Sequence, residues 1–367
     1  MRWAHLPDVI IFLCIELAAP KVLPILALLE RRCRAPTRER LAFFVPLMSI
    51  PFVIPPVIIL GSFYEERFEI MHKLVTARSM SSFAIATAQG ALPFLRSLRL
   101  DRVVSRGDLG FASKRWAELL SAALVHLPML EELHIIENAL CDECMELLAS
   151  AIFDGACRAL VDLSLSRNII GCDGMAAFSA ALSHREEWRL RRINLNCNLI
   201  GDEGLGAFAA VLKRLPALQE LLLHSNHISD AGLCILSTSF WVPSGVPIVL
   251  DGHDPPPAYL EGASLTWLDL SANTVGDDGA SSFAVKIGEG AAPRLQKLHL
   301  QNNQIGEAGL GALVSAFDTR AHVRSRPLMR EVFLGGNNVT PDWMEENIYE
   351  VLASVGIDSE WTHHLSF

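Results

Sequence analysis

Cys141 and Cys144 stand in the run CDEC, a spacing that suits a redox-active dithiol or half of a metal site, because the thiolate is the form that attacks a disulfide or ligates a metal. A tetrahedral site needs further ligands. The other cysteines, Cys14, Cys33, Cys157, Cys172, Cys197 and Cys234, are scattered without a second pair and read as reduced thiols. His363 and His364 are adjacent near the C-terminus, but no second cluster completes a metal set, so they read as a solvated tail. Arg167 beside Asn168 is a pair suited to phosphoryl-transfer machinery. There is no GxxxxGK[ST], no GxGxxG after a strand, no GxSxG and no HExxH, so no catalytic residue, metal or cofactor is expected. A net charge of -10 leaves no basic face outside residues 31 to 40 and argues against a nucleic-acid partner.

Cys141 and Cys144 also have a structural reading, because they occupy two positions at which other stretches of the chain carry small glycines. Those stretches share one frame: LEELHIIENAL from Leu130, LVDLSLSRNII from Leu160, LRRINLNCNLI from Leu190, LQELLLHSNHI from Leu218, LTWLDLSANTV from Leu265, LQKLHLQNNQI from Leu295 and MREVFLGGNNV from Met329. Leu95 opens an eighth, with Val103 where the asparagine should be. The period is near 30 residues, the mark of a solenoid of stacked units. Apolar residues at offsets 3 and 5 predict a short strand pointing two side chains inward. The asparagines Asn138, Asn168, Asn198, Asn226, Asn273, Asn303 and Asn337 follow, where backbone groups lose their ladder partners, and are expected to stack as a structural ladder. Gly174, Gly204, Gly232, Gly279 and Gly309 come next, usually just after an acidic residue, which suits a helix start. Apolar spacing then predicts a helix in each unit, as in Leu205, Phe208, Ala209, Leu212 and in Leu310, Leu313, Val314, Phe317.

The frame and the NxIGxxG turn resemble the leucine-rich repeat family, and within it the ribonuclease-inhibitor-like subclass, over roughly residues 95 to 340. The resemblance implies an α/β horseshoe, with a curved parallel sheet inside and helices outside, that binds another protein on its concave face and performs no reaction. Offsets 2, 4 and 6 point to that face. Its carboxy-terminal half crowds Leu222, His224, Trp267, Asp269, His299 and Phe333, the residues expected to meet a protein partner.

Apolar composition, 51% of residues with a mean hydropathy of +0.30, has an address at the amino terminus. Residues 41 to 63 run uncharged and are long enough to cross a bilayer if helical, and residues 9 to 29 are a second, marginal segment interrupted by Glu16 and Lys21. No small-x-small cleavage site follows cleanly, so signal-peptide removal is not expected. The arginine-rich loop 31 to 40 favours a cytoplasmic face, which puts the repeats across the membrane if 41 to 63 crosses once. Pro46, Pro51, Pro55 and Pro56 favour a re-entrant hairpin instead, which leaves them cytosolic. The similarity to cytosolic, free-thiol arrays tips the expectation to the cytosol. The expected organisation is a membrane anchor at 1–63 contacting lipid, a linker and cap at 64–94, repeats at 95–345 with a proline-rich insertion at about 241–262, and a cap and tail at 346–367. The function expected is a non-enzymatic, membrane-anchored scaffold or receptor for a protein. Two alternatives follow from families with similar repeats: a GTPase-activating protein like the activators of Ran, and a fragment of an innate-immune-type sensor.

Overall fold

The computed structural model describes residues 11–12, 60–62, 67–71, 77–88, 92, 94–103, 111–185, 188–240, 264–323, 329–354 and 356–357. They fall into two compact units, Met1–Asn168 and Ile169–Phe367. The expected 241–262 insertion, His363 and His364 lie outside the described residues.

In the first unit the strands are β1 (Ile11–Phe12), β2 (Leu60–Ser62), β3 (Arg67–Met71), β4 (Ser97–Asp101), β5 (Glu132–Ile136) and β6 (Asp162–Ser164). β1 and β2 pair antiparallel, as do β2 and β3, and β3 to β6 pair parallel and in register. The helices α1 (Ala77–Ala88), α2 (Phe111–Leu124) and α3 (Asp142–Phe153) pack in sequence order. Residues 64–94, expected as linker and cap, thus hold another strand and helix. β3 places Phe68 and Ile70 beside Leu98 and Leu100. That copy begins with Glu65 and Glu66 and lacks the asparagine, so the frame that marks its neighbours is missing from its sequence.

Of the two apolar segments at 9–29 and 41–63, only Ile11–Phe12 and Leu60–Ser62 are described. There the backbone is extended and ladder-paired, not helical. Among the described residues no helix is long and apolar enough to cross a membrane.

The second unit pairs β7 (Arg192–Asn194), β8 (Glu220–Leu222), β9 (Trp267–Asp269), β10 (Lys297–His299) and β11 (Glu331–Phe333) in parallel. Its helices α4 (Cys172–Ser183), α5 (Gly201–Ala209), α6 (Asp230–Ser239), α7 (Asp277–Gly288) and α8 (Glu307–Val323) pack each against the next, followed by α9 (Pro341–Met344), a π turn at Glu345–Tyr349 and α10 (Glu350–Ser354). Ile193, Leu195, Leu221, Leu223, Leu268, Leu270, Leu298 and Leu300 are fully buried, as are Phe208 and Phe283 of the helices, so each unit of strand and helix closes its core against its neighbours. The helical spacing expected through Leu212 stops early. α5 ends at Ala209, and a 3-10 turn at Leu212–Arg214 leaves Leu212 half-buried while Val211 turns inward. The frame from Leu190 to Leu218 is two residues shorter than that from Leu160 to Leu190, and the longer rise of a 3-10 turn spans the distance with fewer residues.

The acidic residues before the turn glycines act across units. Asp230 Oδ1 accepts from the backbone N–H of Gly276 at 2.6 Å and of Gly279 at 2.9 Å, and Asp277 Oδ1 from Gly306 at 2.8 Å and Gly309 at 2.7 Å. Each aspartate starts one helix and satisfies the free N–H groups of the next, where a negative charge is also favoured. The glycines follow from this contact: a Cβ at Gly279 would lie 2.5 Å from Asp230 Oδ1 and 2.8 Å from its Cα.

Gly279→Ala is therefore expected to lower unfolding free energy by about 1–3 kcal/mol, through overpacking, in denaturant melts. Part of that loss should disappear in an Asp230→Ala background, because the carboxylate oxygen is half of the obstacle. Strict additivity in the double-mutant cycle would show that the glycine answers to something other than this aspartate.

Candidate functional site

The geometry of the open face begins with the turn behind it. The residue before each ladder position has a positive φ: Arg102, Glu137, Arg167, Cys197, Ser225, Ala272, Asn302 and Gly336. Only the last is the glycine such a conformation favours. The reversal swings the next side chain inward, where the asparagine amide replaces lost ladder partners. Asn273 donates to Leu223 O, Leu270 O and Ser271 O at 3.0–3.2 Å and accepts from the N–H of Asn226 and Ile228. Asn168, in the first unit, does the same for Ile135 O, Leu165 O and Ser166 O and for the N–H of Asn138 and Leu140. Asn138, Asn198, Asn226, Asn303 and Asn337 also donate to carbonyls of their own turn.

In-register parallel pairing then stacks equal offsets side by side at the ordinary strand spacing of about 4.8 Å. In the first unit the outward groups are charged and pair among themselves: Arg99 with Asp101 at 2.7 Å, Arg102 with Glu137 at 2.6 Å, and Ser97 donating to Glu132 at 2.8 Å.

The second unit presents an aromatic row. Trp267, His299 and Phe333 come from three successive strands; the Trp267 and His299 ring centroids are 5.5 Å apart, and His299 meets Phe333 edge-on at 4.6 Å. Lys297 Nζ lies 5.4 Å from the Trp267 ring centroid and 2.6 Å from Glu331. The partners Lys297 and Glu331 are directly opposite in register, so the strand alignment, more than residue type, marks them as part of this face. Among the described residues the Trp267 indole N–H has no acceptor.

Two residues expected on this face are withdrawn from it. Leu222 is only 3% exposed, held between the opposite positions Asn194 and Asp269 of the flanking strands. A short aliphatic side chain in so close a column is covered by its neighbours, whereas the longer rings of Trp267 and Phe333 stay partly exposed. Asp269 is 9% exposed, and its Oδ1 accepts from both the backbone N–H and the hydroxyl of Ser271. Because the Ser271 proton is committed to Asp269, Ser271 Oγ accepts from His224 Nδ1 at 2.9 Å. His224 Nε2 lies 3.0 Å from the Ser225 hydroxyl on its other side. Asp269 and Ser271 thus orient the ring of His224. Ser271 stands at offset 6, the same outward column as His224, whereas Ser225 lies outside the outward offsets.

Other candidate chemistry separates in space. Arg167 is exposed at its left-handed position, while the Asn168 amide is consumed by the buried turn, so the two do not converge on one site. Cys141 and Cys144 meet at the start of α3. Among the described residues no group of three or more His, Cys, Asp or Glu could hold a metal ion.

Burial holds the His299 imidazole below its ordinary value of 6.5, against the opposing pull of Asp269 and Glu331. Its 3.5 Å approach to Glu331 is therefore that of a neutral ring at neutral pH. Burial alone would raise the Glu331 carboxyl, but Lys297, hydrogen-bonded and charged, outweighs it and holds the group below the ordinary carboxylate range. A histidine with a depressed folded pKa favours the fold while neutral. Its contribution is present above the unfolded value and is lost as pH falls below it, until the folded ring also takes a proton. His299→Gln should flatten the decline in melting temperature that accompanies acidification below about pH 6.5. An unchanged slope would assign that decline to other groups.

Comparison with known proteins bears on this frame. The family described as Leucine Rich repeat matches residues 190–209, 263–284 and 293–314. The chain is 38% identical over 81 residues to Ran GTPase-activating protein 1 of Xenopus laevis, a match spanning 21% of this chain and 14% of that protein. Among solved structures, an internalin (inlF) of Listeria monocytogenes is 16% identical with a TM-score of 0.38, covering 82% of this chain and 88% of the internalin. The Rad7 and Elc1 complex of yeast matches at 17% identity and a TM-score of 0.40, covering 74% of this chain and 71% of that one. The units outside the matched stretches repeat the same strand and left-handed residue, so the three stretches that match leucine-rich repeats share their frame with their neighbours.

Proposed function

We propose that the protein is a non-enzymatic interaction module of the ribonuclease-inhibitor-like subclass, taking a protein partner on the open, concave face of β8 to β11. The observation that carries this reading is the row of Trp267, His299 and Phe333, held outward on three adjacent strands. Large rings fixed on a rigid sheet lose little entropy on binding, and tryptophan in particular recurs among the residues that dominate interface energies. Lys297 and Glu331 beside them supply polar groups that set orientation. The period near 30 residues supports the subclass. Affinity capture with the full chain, compared with a Trp267→Ala/Phe333→Ala variant of unchanged melting temperature, tests the reading. The partner retained by the wild type should bind the variant at least about 30-fold more weakly, a hot-spot loss of about 2 kcal/mol. A partner held equally by both places the binding face elsewhere.

A second reading, activation of a small GTPase, is favoured by the 81-residue likeness to Ran GTPase-activating protein 1. Arg167, exposed in the turn beyond β6, is the residue this reading assigns to a neighbouring GTPase site. Single-turnover GTP hydrolysis by Ran separates the two readings: a pure binder leaves the rate unchanged, and an activator raises it in a manner lost in Arg167→Ala.

The proposal includes attachment to a membrane through the apolar stretches 9–29 and 41–63, with the repeats on the cytosolic side; it rests on their composition. A carboxy-terminally tagged chain should stay in the pellet on alkaline extraction, and its tag should be digested in intact microsomes. Release into the supernatant removes the anchor from the proposal, and a protected tag moves the repeats to the luminal side.

A further inference from the structure

The start of α3 brings two thiols together. Cys141 precedes the helix in extended conformation, with φ -97° and ψ -179°, and its side chain caps none of the helix N–H groups. Its Sγ lies 3.5 Å from Sγ of Cys144, which sits in the first turn. Neither is in a disulfide. Cys144 is fully buried and Cys141 partly exposed, so a reagent from solution meets Cys141 first.

The sister turns explain why these positions converge. In the second unit the corresponding residues are Gly276 and Gly279, and a Cβ built on either would approach the same Asp230 carboxylate, at 3.0 Å and 2.5 Å. The turn therefore aims its offsets 11 and 14 at one point. At Gly276 and Gly279, and with Asp277 at Gly306 and Gly309, a carboxylate fills that point; here each position brings its own sulfur. Closing from 3.5 Å to the roughly 2.05 Å of a disulfide asks for side-chain rotation at Cys141, whose backbone lies outside the helix.

We propose that Cys141 and Cys144 form a reversible dithiol–disulfide pair oxidised by a low-molecular-weight disulfide. The Cys141 thiolate attacks one sulfur of glutathione disulfide, forming a mixed disulfide and releasing one glutathione thiolate. Cys144 then loses its proton and attacks Cys141 Sγ, closing the protein disulfide and releasing the second glutathione thiolate. The two protein thiols give up two electrons and two protons, and glutathione disulfide becomes two molecules of glutathione.

The test equilibrates the full chain in buffers of varied glutathione to glutathione-disulfide ratio, quenches with acid, alkylates the remaining thiols and maps the peptides by mass. Cys141 and Cys144 should become protected together as one two-electron step, in a linked peptide lighter by two hydrogens, and a small dithiol should reverse it. Cys144→Ser should hold glutathione on Cys141, since the resolving thiol is gone. If that variant does not fold by circular dichroism, the linked wild-type peptide decides alone. The proposal is overturned if both residues alkylate fully in buffers that oxidise other cysteines of the chain, or if wild-type Cys141 keeps glutathione without passing it to Cys144.

Discussion

A strand three residues long that must turn away from its ladder strands its own carbonyl and N–H groups in an apolar interior, and an unpaired buried peptide group costs about 1–3 kcal/mol. One asparagine amide per turn meets this need. Asn273 alone serves three carbonyls and two N–H groups. The bond from Asn226 N to Asn273 Oδ1 bridges consecutive turns, so the amide also sets how one coil sits on the next. The left-handed residue before it is part of the same device, since without that reversal the amide would not face inward. Non-glycine residues such as Ala272 and Cys197 hold this conformation because the surrounding hydrogen bonds over-determine it.

A second relay runs along the helix starts. Asp230 and Asp277 each begin a helix and fill the free N–H groups of the following one, which removes the room for any side chain at Gly279 and Gly309. Asparagine turns and aspartate contacts, both following the strand in the chain, hold successive units together. The strand residues are then free to vary on the face that packs against nothing in their own unit. The first unit fills that face with ion pairs, and the second with Trp267, His299 and Phe333. Outward rings on a rigid sheet have an obvious use in recognition. The interior polar relay from Asp269 through Ser271 to His224 gives the aromatic row a fixed neighbour in place of a mobile side chain.

Much of this was legible before any coordinates, because the interactions that shape the coil act over short stretches and recur. Apolar residues at offsets 3 and 5, asparagine at 8 and glycine at 14 each answer to a local need, and seven copies of the frame announce strand, turn and helix. The unit at β3 and α1 was hidden because its strand keeps Phe68 and Ile70 but neither the opening leucine nor the asparagine. Periodicity also named the outward columns, and with them Trp267, His299 and Phe333.

What periodicity could not supply was the lateral environment of each column, since that depends on which residue of the next strand stands opposite. Leu222 points outward by its offset and is buried by its neighbours; Asp269 is outward by its offset and spent on Ser271. Asp230 and Asp277 read from sequence as caps for their own helices and in space serve the next, because the N–H groups they reach lie one repeat away in the chain and beside them in the fold. The contact between Cys141 and Cys144 has the same origin: the spacing CDEC is written in the chain, but the convergence of the two sulfurs comes from the shape of a turn that Asp230 and Asp277 fill at Gly276/Gly279 and Gly306/Gly309.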